Sequence, residues 1–371
     1  MTERLKLCHV IDSSSRNPLL FSSVAHSDRS RIEYEVISLR ERGGLHEQMD
    51  SIDVATSALN VSSRKQYAAA IASLVKKFRH ERYDIVQVHS FEASLVGLIA
   101  AATARVPVRI FSGHHSHEVP LYRNPKLLFV DSFLSRRLAT HVLSPSENMK
   151  DIFVESQRVP SARIKVIPHG VDLAAWTAAA AEPNDLRKTF GLEGKIIFGA
   201  AGRLFWVKGF DLLIESFADI ASSREDVVLV IAGEGSERGK LESIIRDRGI
   251  EENIKLIGAR SDIASVMSSF DVLIHPSLAE SFGLIYVEAM ALEKPVIATP
   301  FGIAPEAIQS GVNGYIAEPQ VISLRDAMKR VLAEKDRWPQ VGEEARKTAE
   351  RYSVTITQTA CDEYYESLRR R

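Results

Sequence analysis

The sequence holds only two cysteines, Cys8 and Cys361, near opposite ends. That is too few for a disulfide framework or a cysteine metal cluster, and it fits a reducing compartment. Long hydrophobic runs are missing too. The longest, roughly Ser94 to Ala104, is too short to cross a bilayer. The opening MTERLKLCHVID reads as a strand, and its apolar stretch is too short for a signal core. These absences lead us to expect a cytoplasmic protein, at most in peripheral contact with the inner face of a membrane. There is no excess of charge of one sign, since 47 basic residues meet 48 acidic ones. A net charge of -1 argues against a protein dedicated to nucleic acid. The balance hides an asymmetry: residues 1–172 are net basic and the remainder net acidic.

What is present is alternation. The 371 residues are too many for one ordinary core, so two domains are expected. Strand-like runs at Leu5–Ile11, Glu35–Leu39, Ile85–His89, Arg109–Ser112, His141–Ser144 and Ile164–Ile167 are separated by helical stretches such as Lys65–Phe78 and Ala93–Ala104. This predicts a parallel sheet covered on both faces. LAAWTAAAAEPNDLRKTF, Leu173 to Phe190, has no strand period and reads as a linker. The alternation then restarts with strands at Ile196–Ala201, Val227–Ala232, Ile254–Ile257, Val272–His275 and Val296–Thr299. The expectation is two doubly wound α/β domains. One covers residues 1–172 together with a C-terminal helix at 355–371, and the other covers 183–354. Two such units in tandem would face each other across a crevice, with ligands at the carboxyl ends of the strands.

Two segments carry chemistry. In HPSLAESFGLIYVEAM, a strand ends at His275–Pro276, a loop carries Glu280, and a helix begins near Phe282–Gly283, where Ser281 can cap it. Gly283 lets backbone approach a ligand, and the helix-start amides suit a phosphate. Glu280 and Glu288 would repel that phosphate, but they suit hydroxyls on either side of it. A nucleotide sugar presents that pattern of ribose, pyrophosphate and sugar. The plainer alternative is a solvated helix with two surface glutamates. In GRLFWVKGF, Gly202 to Phe210, Arg203 and Lys208 follow a strand where both could reach a pyrophosphate. The order is not that of a Walker loop. A basic surface turn is the alternative there.

Strand–GRLFWVKG–helix followed by ESFGLIYVE resembles family 4 of the retaining glycosyltransferases, which have the GT-B fold. The family's two glutamates, with seven residues between them, match Glu280 and Glu288, and its Arg and Lys match Arg203 and Lys208. The resemblance continues in IAGEGSERGKLE, IKLIGARSD and PVIATPFGIAPEAIQSGVNGYI, and IPHGVD resembles a hinge-side motif with His169 in place of Asn. It covers the chain from about residue 84 to the end.

It implies a GT-B enzyme moving a sugar from a UDP- or GDP-type donor to a saccharide or lipid-linked acceptor, as in surface polysaccharide or glycolipid synthesis. Arg203 and Lys208 would neutralise the diphosphate. The amides of Phe282, Gly283 and Leu284 would cradle its terminal phosphate. Glu288 would hold the ribose and Glu280 the donor sugar. Gly202 and Gly233 would line the donor site, with backbone around Gly258 and Arg260 reading the base. No metal or other cofactor is expected, because two cations and a helix terminus already offset the charge. No D-x-D run suggests the metal-dependent alternative fold. Rival functions are a sugar-nucleotide epimerase, a phosphorylase (for which no cofactor lysine is visible) and a non-catalytic, nucleotide-sugar-binding partner subunit.

The front half is less legible. SGHHSHE follows a strand end, and the family often has a histidine there facing the donor sugar. His114 aligns best, with His115 and His117 as rivals. Histidines without chemistry are the alternative, and their spacing does not fit zinc patterns. The first loop, DSSSRNPLLF, lacks the glycines that most members carry. Arg16 and Asn17 are its candidate acceptor ligands. The basic stretch Arg64 to Asp84 reads either as a membrane-surface helix or as a helix packed on the sheet with a solvated basic face. Arg136–Leu138 is a second, weaker membrane signal.

Overall fold

The computed structural model describes residues 4–113 and 124–369. The chain divides into two compact units, Met1–Gly170 with Val354–Arg371, and Val171–Ser353.

The first unit is built on seven parallel strands: β1 (Leu5–Ile11), β2 (Ile32–Ser38), β3 (Ala55–Ala58), β4 (Ile85–His89), β5 (Val108–Ser112), β6 (His141–Ser144) and β7 (Ile164–Val166). Their order is β3-β2-β1-β4-β5-β6-β7, so the winding direction reverses between β1 and β4. β3 was not expected. Its ATSA has no apolar run, and the strand exists because residues 35–38 of β2 offer it a partner. The helix Tyr67–Glu81 settles the reading of the basic stretch. It buries Ala70, Leu74 and Phe78 at helical spacing, and Lys77 pairs with Glu35 at 2.8 Å. It is a helix packed on the sheet.

The C-terminal helix Val354–Ser367 returns to this unit through buried polar contacts. Asp362 accepts from the Ser27 hydroxyl (2.9 Å), the Asp28 amide (2.8 Å) and the Gln358 amide (2.7 Å). The Tyr365 hydroxyl donates to Gln87 Oε1 at 2.6 Å.

The second unit carries β8 (Ile196–Ala201), β9 (Val227–Ala232), β10 (Ile254–Leu256), β11 (Val272–His275), β12 (Val296–Ala298) and β13 (Tyr315–Ile316), all parallel, in the order β10-β9-β8-β11-β12-β13. β8 and β9 are buried throughout, which explains their unbroken apolar sequence. The helix Phe210–Ala221 covers them with Phe210, Leu213, Ile214, Phe217 and Ile220. Each such large side chain contributes about 1.5–3 kcal/mol on burial.

The stretch read as a linker is not one. Leu173–Ala180 and Leu186–Thr189 are helical, and Leu173 and Trp176 pack on this unit's core. Its alanines hid an element whose anchor is one tryptophan, because small residues give little hydrophobic period to read.

Asp362→Ala leaves Ser27, the Asp28 amide and Gln358 without their shared acceptor. Loss of hydrogen bonds to a buried charged group predicts a destabilisation of about 2–3 kcal/mol, read as a lower melting temperature.

Candidate functional site

The winding of the second sheet reverses between β8 and β11. β8 runs into the Gly202–Gly209 loop and β11 into the Pro276–Gly283 loop, so both informative segments leave the sheet at its switch point. The loops are laced together. The Leu278 amide donates to the Val207 carbonyl at 2.7 Å, and the Ser277 hydroxyl to the same oxygen at 3.1 Å. Gly209 has φ +65°, and a Cβ there would sit 2.3 Å from the Pro276 carbonyl oxygen. Only glycine allows this approach.

The contact brings Lys208 onto Glu280. Lys208 Nζ lies 2.5 Å from Glu280 Oε1, and His275 Nε2 lies 2.8 Å from the same oxygen. All three residues are buried. Burial alone would raise the Glu280 carboxyl, but the His275 hydrogen bond and the Lys208 charge hold it down at about 2. Glu280 is therefore ionised, so His275 Nε2 carries the proton it donates. Burial, reinforced by Lys208, pushes the imidazole below its ordinary value against the pull of Glu280. His275 Nδ1 is buried and, among the described residues, has no hydrogen-bond partner. Lys208 was expected to stand ready for a diphosphate; in this structure it is the counterion of Glu280. Arg203 is exposed, and among the described residues its guanidinium has no partner.

The helix Leu284–Ala291 begins beside this cluster. Its cap is Gly283 at φ +87°, and not Ser281 as expected. A Cβ on Gly283 would meet the Tyr286 ring at 2.3 Å. No side chain caps the helix, and the amides of Gly283 and Leu284 have no acceptor among the described residues. These are free donors at the positive end of a helix. Phe282 is buried against the Tyr352 ring, and its carbonyl accepts from the Ile303 amide at 2.9 Å.

Glu288 lies one turn further on. Among the described residues its carboxyl has no hydrogen-bond or ion-pair partner, and burial pushes it up to about 7. Trp176 fixes this turn by donating its indole N–H to the Glu288 carbonyl at 3.0 Å. A carboxyl desolvated without compensation is costly in a resting protein, and it suits a hydroxylated ligand that supplies the missing donors.

The other expected donor residues divide by role. Gly202 and Gly233 already spend their amides, on the carbonyls of Ala232 (3.0 Å) and Gly258 (2.8 Å). A Cβ on Gly233 would lie 1.9 Å from the Gly202 carbonyl oxygen, so these glycines pack the loops after β8, β9 and β10 against one another. Arg260 is held in a fork by Asp262 at 2.8 and 2.7 Å.

In the first unit, Arg16 is exposed, with Glu47 4.0 Å away. Asn17 is occupied as a helix cap: its Oδ1 accepts from the Leu20 amide at 3.0 Å. The glycines missing from this loop come from its neighbour, since a Cβ on Gly43 would lie 2.8 Å from the Ser14 carbonyl oxygen. The candidates His114, His115 and His117 lie outside the described residues.

Sequence reasoning missed His275 and Trp176. The strand-ending His-Pro was a visible signal for the first. The second stood in an alanine tract.

Two parallel α/β units, the second carrying cations, free helix amides and two carboxylates at its switch point, define a nucleotide-sugar glycosyltransferase of GT-B fold. Comparison with known proteins agrees. The model described as Glycosyltransferase Family 4 matches residues 24–175, and that described as Glycosyl transferases group 1 matches residues 183–348. The chain belongs to the family 4 glycosyltransferases.

It is 29% identical over 282 residues to the 2-deoxystreptamine glucosyltransferase of Streptomyces kanamyceticus, covering 71% of this chain and 72% of that one. It is 28% identical over 308 residues to the UDP-Gal:alpha-D-GlcNAc-diphosphoundecaprenol alpha-1,3-galactosyltransferase of Escherichia coli, covering 80% and 79%. Among solved structures, Anabaena HepE in complex with UDP-glucose superimposes with a TM-score of 0.84 at 24% identity, over 98% of this chain and all of that one.

Glu288→Gln tests its desolvation. A carboxyl whose folded value is raised from 4.5 to about 7 opposes folding increasingly as pH climbs between those values. The variant should therefore melt a few degrees higher than wild type at pH 8, with little difference at pH 4. An equal shift at both pH values would reject a desolvated carboxyl.

Proposed function

We propose that the protein transfers a hexose, with retention at the anomeric carbon and without a metal, from a UDP-sugar to a saccharide carried on a lipid diphosphate. The observation that carries this reading is the switch-point arrangement itself. An ionised, anchored carboxylate (Glu280) and a partnerless one (Glu288) flank free helix-start amides, with Arg203 and Lys208 alongside. Ribose on Glu288, diphosphate at the Gly283 and Leu284 amides and sugar on Glu280 match this chemistry. UDP is chosen because HepE was solved with UDP-glucose and the E. coli relative is named for UDP-Gal; the acceptor class follows the latter name.

In this mechanism the bond from the anomeric carbon to the diphosphate oxygen breaks with its electron pair leaving on UDP. The acceptor hydroxyl attacks the same face, and its proton passes to the departing phosphate. Arg203 and the helix amides stabilise the leaving charge, and Lys208 turns from Glu280 to join them. These cations already supply the neutralisation a divalent metal would provide.

A thermal-shift screen of nucleotide sugars, with and without EDTA, tests the donor. A UDP-hexose should raise the melting temperature, and EDTA should leave that shift intact. Absence of any shift with UDP-sugars would reject the assignment. Glu280→Ala should lower UDP-sugar turnover roughly 100-fold while changing UDP affinity less than about threefold. Equal losses would place Glu280 elsewhere.

A lipid-linked acceptor places the enzyme at a membrane surface. The continuous helical stretch Pro125–Leu138 supports contact there. It exposes Phe129 (72%) and Phe133 (50%), four residues apart, together with Lys126, Arg136 and Arg137, while its one acid, Asp131, is buried. Binding to vesicles containing anionic phosphatidylglycerol should weaken at least about tenfold in the Phe129→Ser, Phe133→Ser double variant. Unchanged sedimentation with the vesicles would remove this surface from consideration.

A further inference from the structure

Glu280 has one oxygen anchored and one open. Oε1 accepts from Lys208 Nζ and His275 Nε2, and Oε2 has no partner among the described residues. The two anchors differ in kind. Lys208 is a flexible ammonium that a diphosphate competes for, since two phosphate charges attract it more strongly than one carboxylate. His275 is the last residue of β11, 1% exposed, with its ring edge-on to the Tyr286 ring 5.5 Å away. Its other nitrogen is buried and has no partner among the described residues. A proton there would have no acceptor, so the geometry keeps the proton on Nε2, facing Glu280. A neutral donor also suits the place, since it orients Glu280 without adding a third cation beside the diphosphate site.

We infer that His275 is a positioning residue that holds Glu280 Oε1 once Lys208 turns to the diphosphate, so that Oε2 remains aimed at a hydroxyl of the donor sugar. This rests on the proposed reading of Glu280 as the sugar ligand. Sugar recognition in this protein therefore depends on a residue that touches neither the sugar nor the nucleotide. The histidine matters most in the loaded enzyme, when Lys208 has left, and least in the free one.

The test is calorimetric binding of UDP and of UDP-glucose to wild type, Glu280→Ala, His275→Leu and His275→Gln. Wild type should bind UDP-glucose about tenfold more tightly than UDP. Glu280→Ala and His275→Leu should lose that preference, His275→Gln should recover much of it through its amide N–H, and all four should bind UDP within about threefold of one another. Loss of UDP affinity in His275→Leu in step with UDP-glucose affinity would make the residue merely structural and overturn the inference.

If Glu280→Ala loses the preference and His275→Leu keeps it, the inference alone fails. If Glu280→Ala keeps it, or if wild type shows none, the reading of the site fails and the inference with it. Should His275→Leu not fold, a crystal structure of wild type with UDP decides. Lys208 on the β-phosphate with Glu280 still on His275 is expected; Lys208 unmoved, or Glu280 released from His275, overturns the proposal.

Discussion

The second unit of this protein depends on a single buried carboxylate. Glu280 stays ionised at the heart of a site whose surroundings penalise charge, and it does so because Lys208 and His275 both converge on Oε1. A buried pair of this kind adds little net stability, since desolvating both charges offsets most of their attraction. Its value is orientation. Lys208 reaches Glu280 from the loop after β8 and His275 from the end of β11, so the two loops are each held partly by the chemistry of the other.

Glycine makes that convergence sterically possible. Gly209 admits the Pro276 carbonyl, Gly233 admits the Gly202 carbonyl, and Gly283 opens the helix beneath Tyr286. Each marks a point where backbone meets backbone or a ring at a distance that forbids a Cβ. In the first unit the same need arises between the loops after β1 and β2, and Gly43 meets it from the second loop. The family pattern places glycine in the first loop; the physical requirement is only that one of two touching loops carry it.

Against this rigid frame stands Glu288, half-buried and, among the described residues, without a partner for its carboxyl. Glu280 is fully provided for on one oxygen, whereas Glu288, among the described residues, is provided for on neither. The contrast separates a carboxylate whose orientation is set before a ligand arrives from one whose hydrogen bonding waits for the ligand.

The alternating apolar runs and helical periods were enough to announce two parallel sheets, because a strand buried on both faces must be apolar along its length, as β8 and β9 are. Arg203, Lys208, Glu280 and Glu288 stood out as candidates because they follow strand ends of such sheets, where ligands sit. The strand Ala55–Ala58 and the helix Leu173–Ala180 were not, since small residues carry no period. Nor could the sequence pair Lys208 with Glu280, place a proton on His275 Nε2, or leave Glu288 alone. Those outcomes depend on which loops share the switch point and how closely their backbones approach, distances set by packing between segments some 70 residues apart. The sequence by itself determined the sheet architecture and the chemical cast; only the tertiary structure decided which charges meet, because partnership in a buried site is a matter of ångströms that local pattern does not encode.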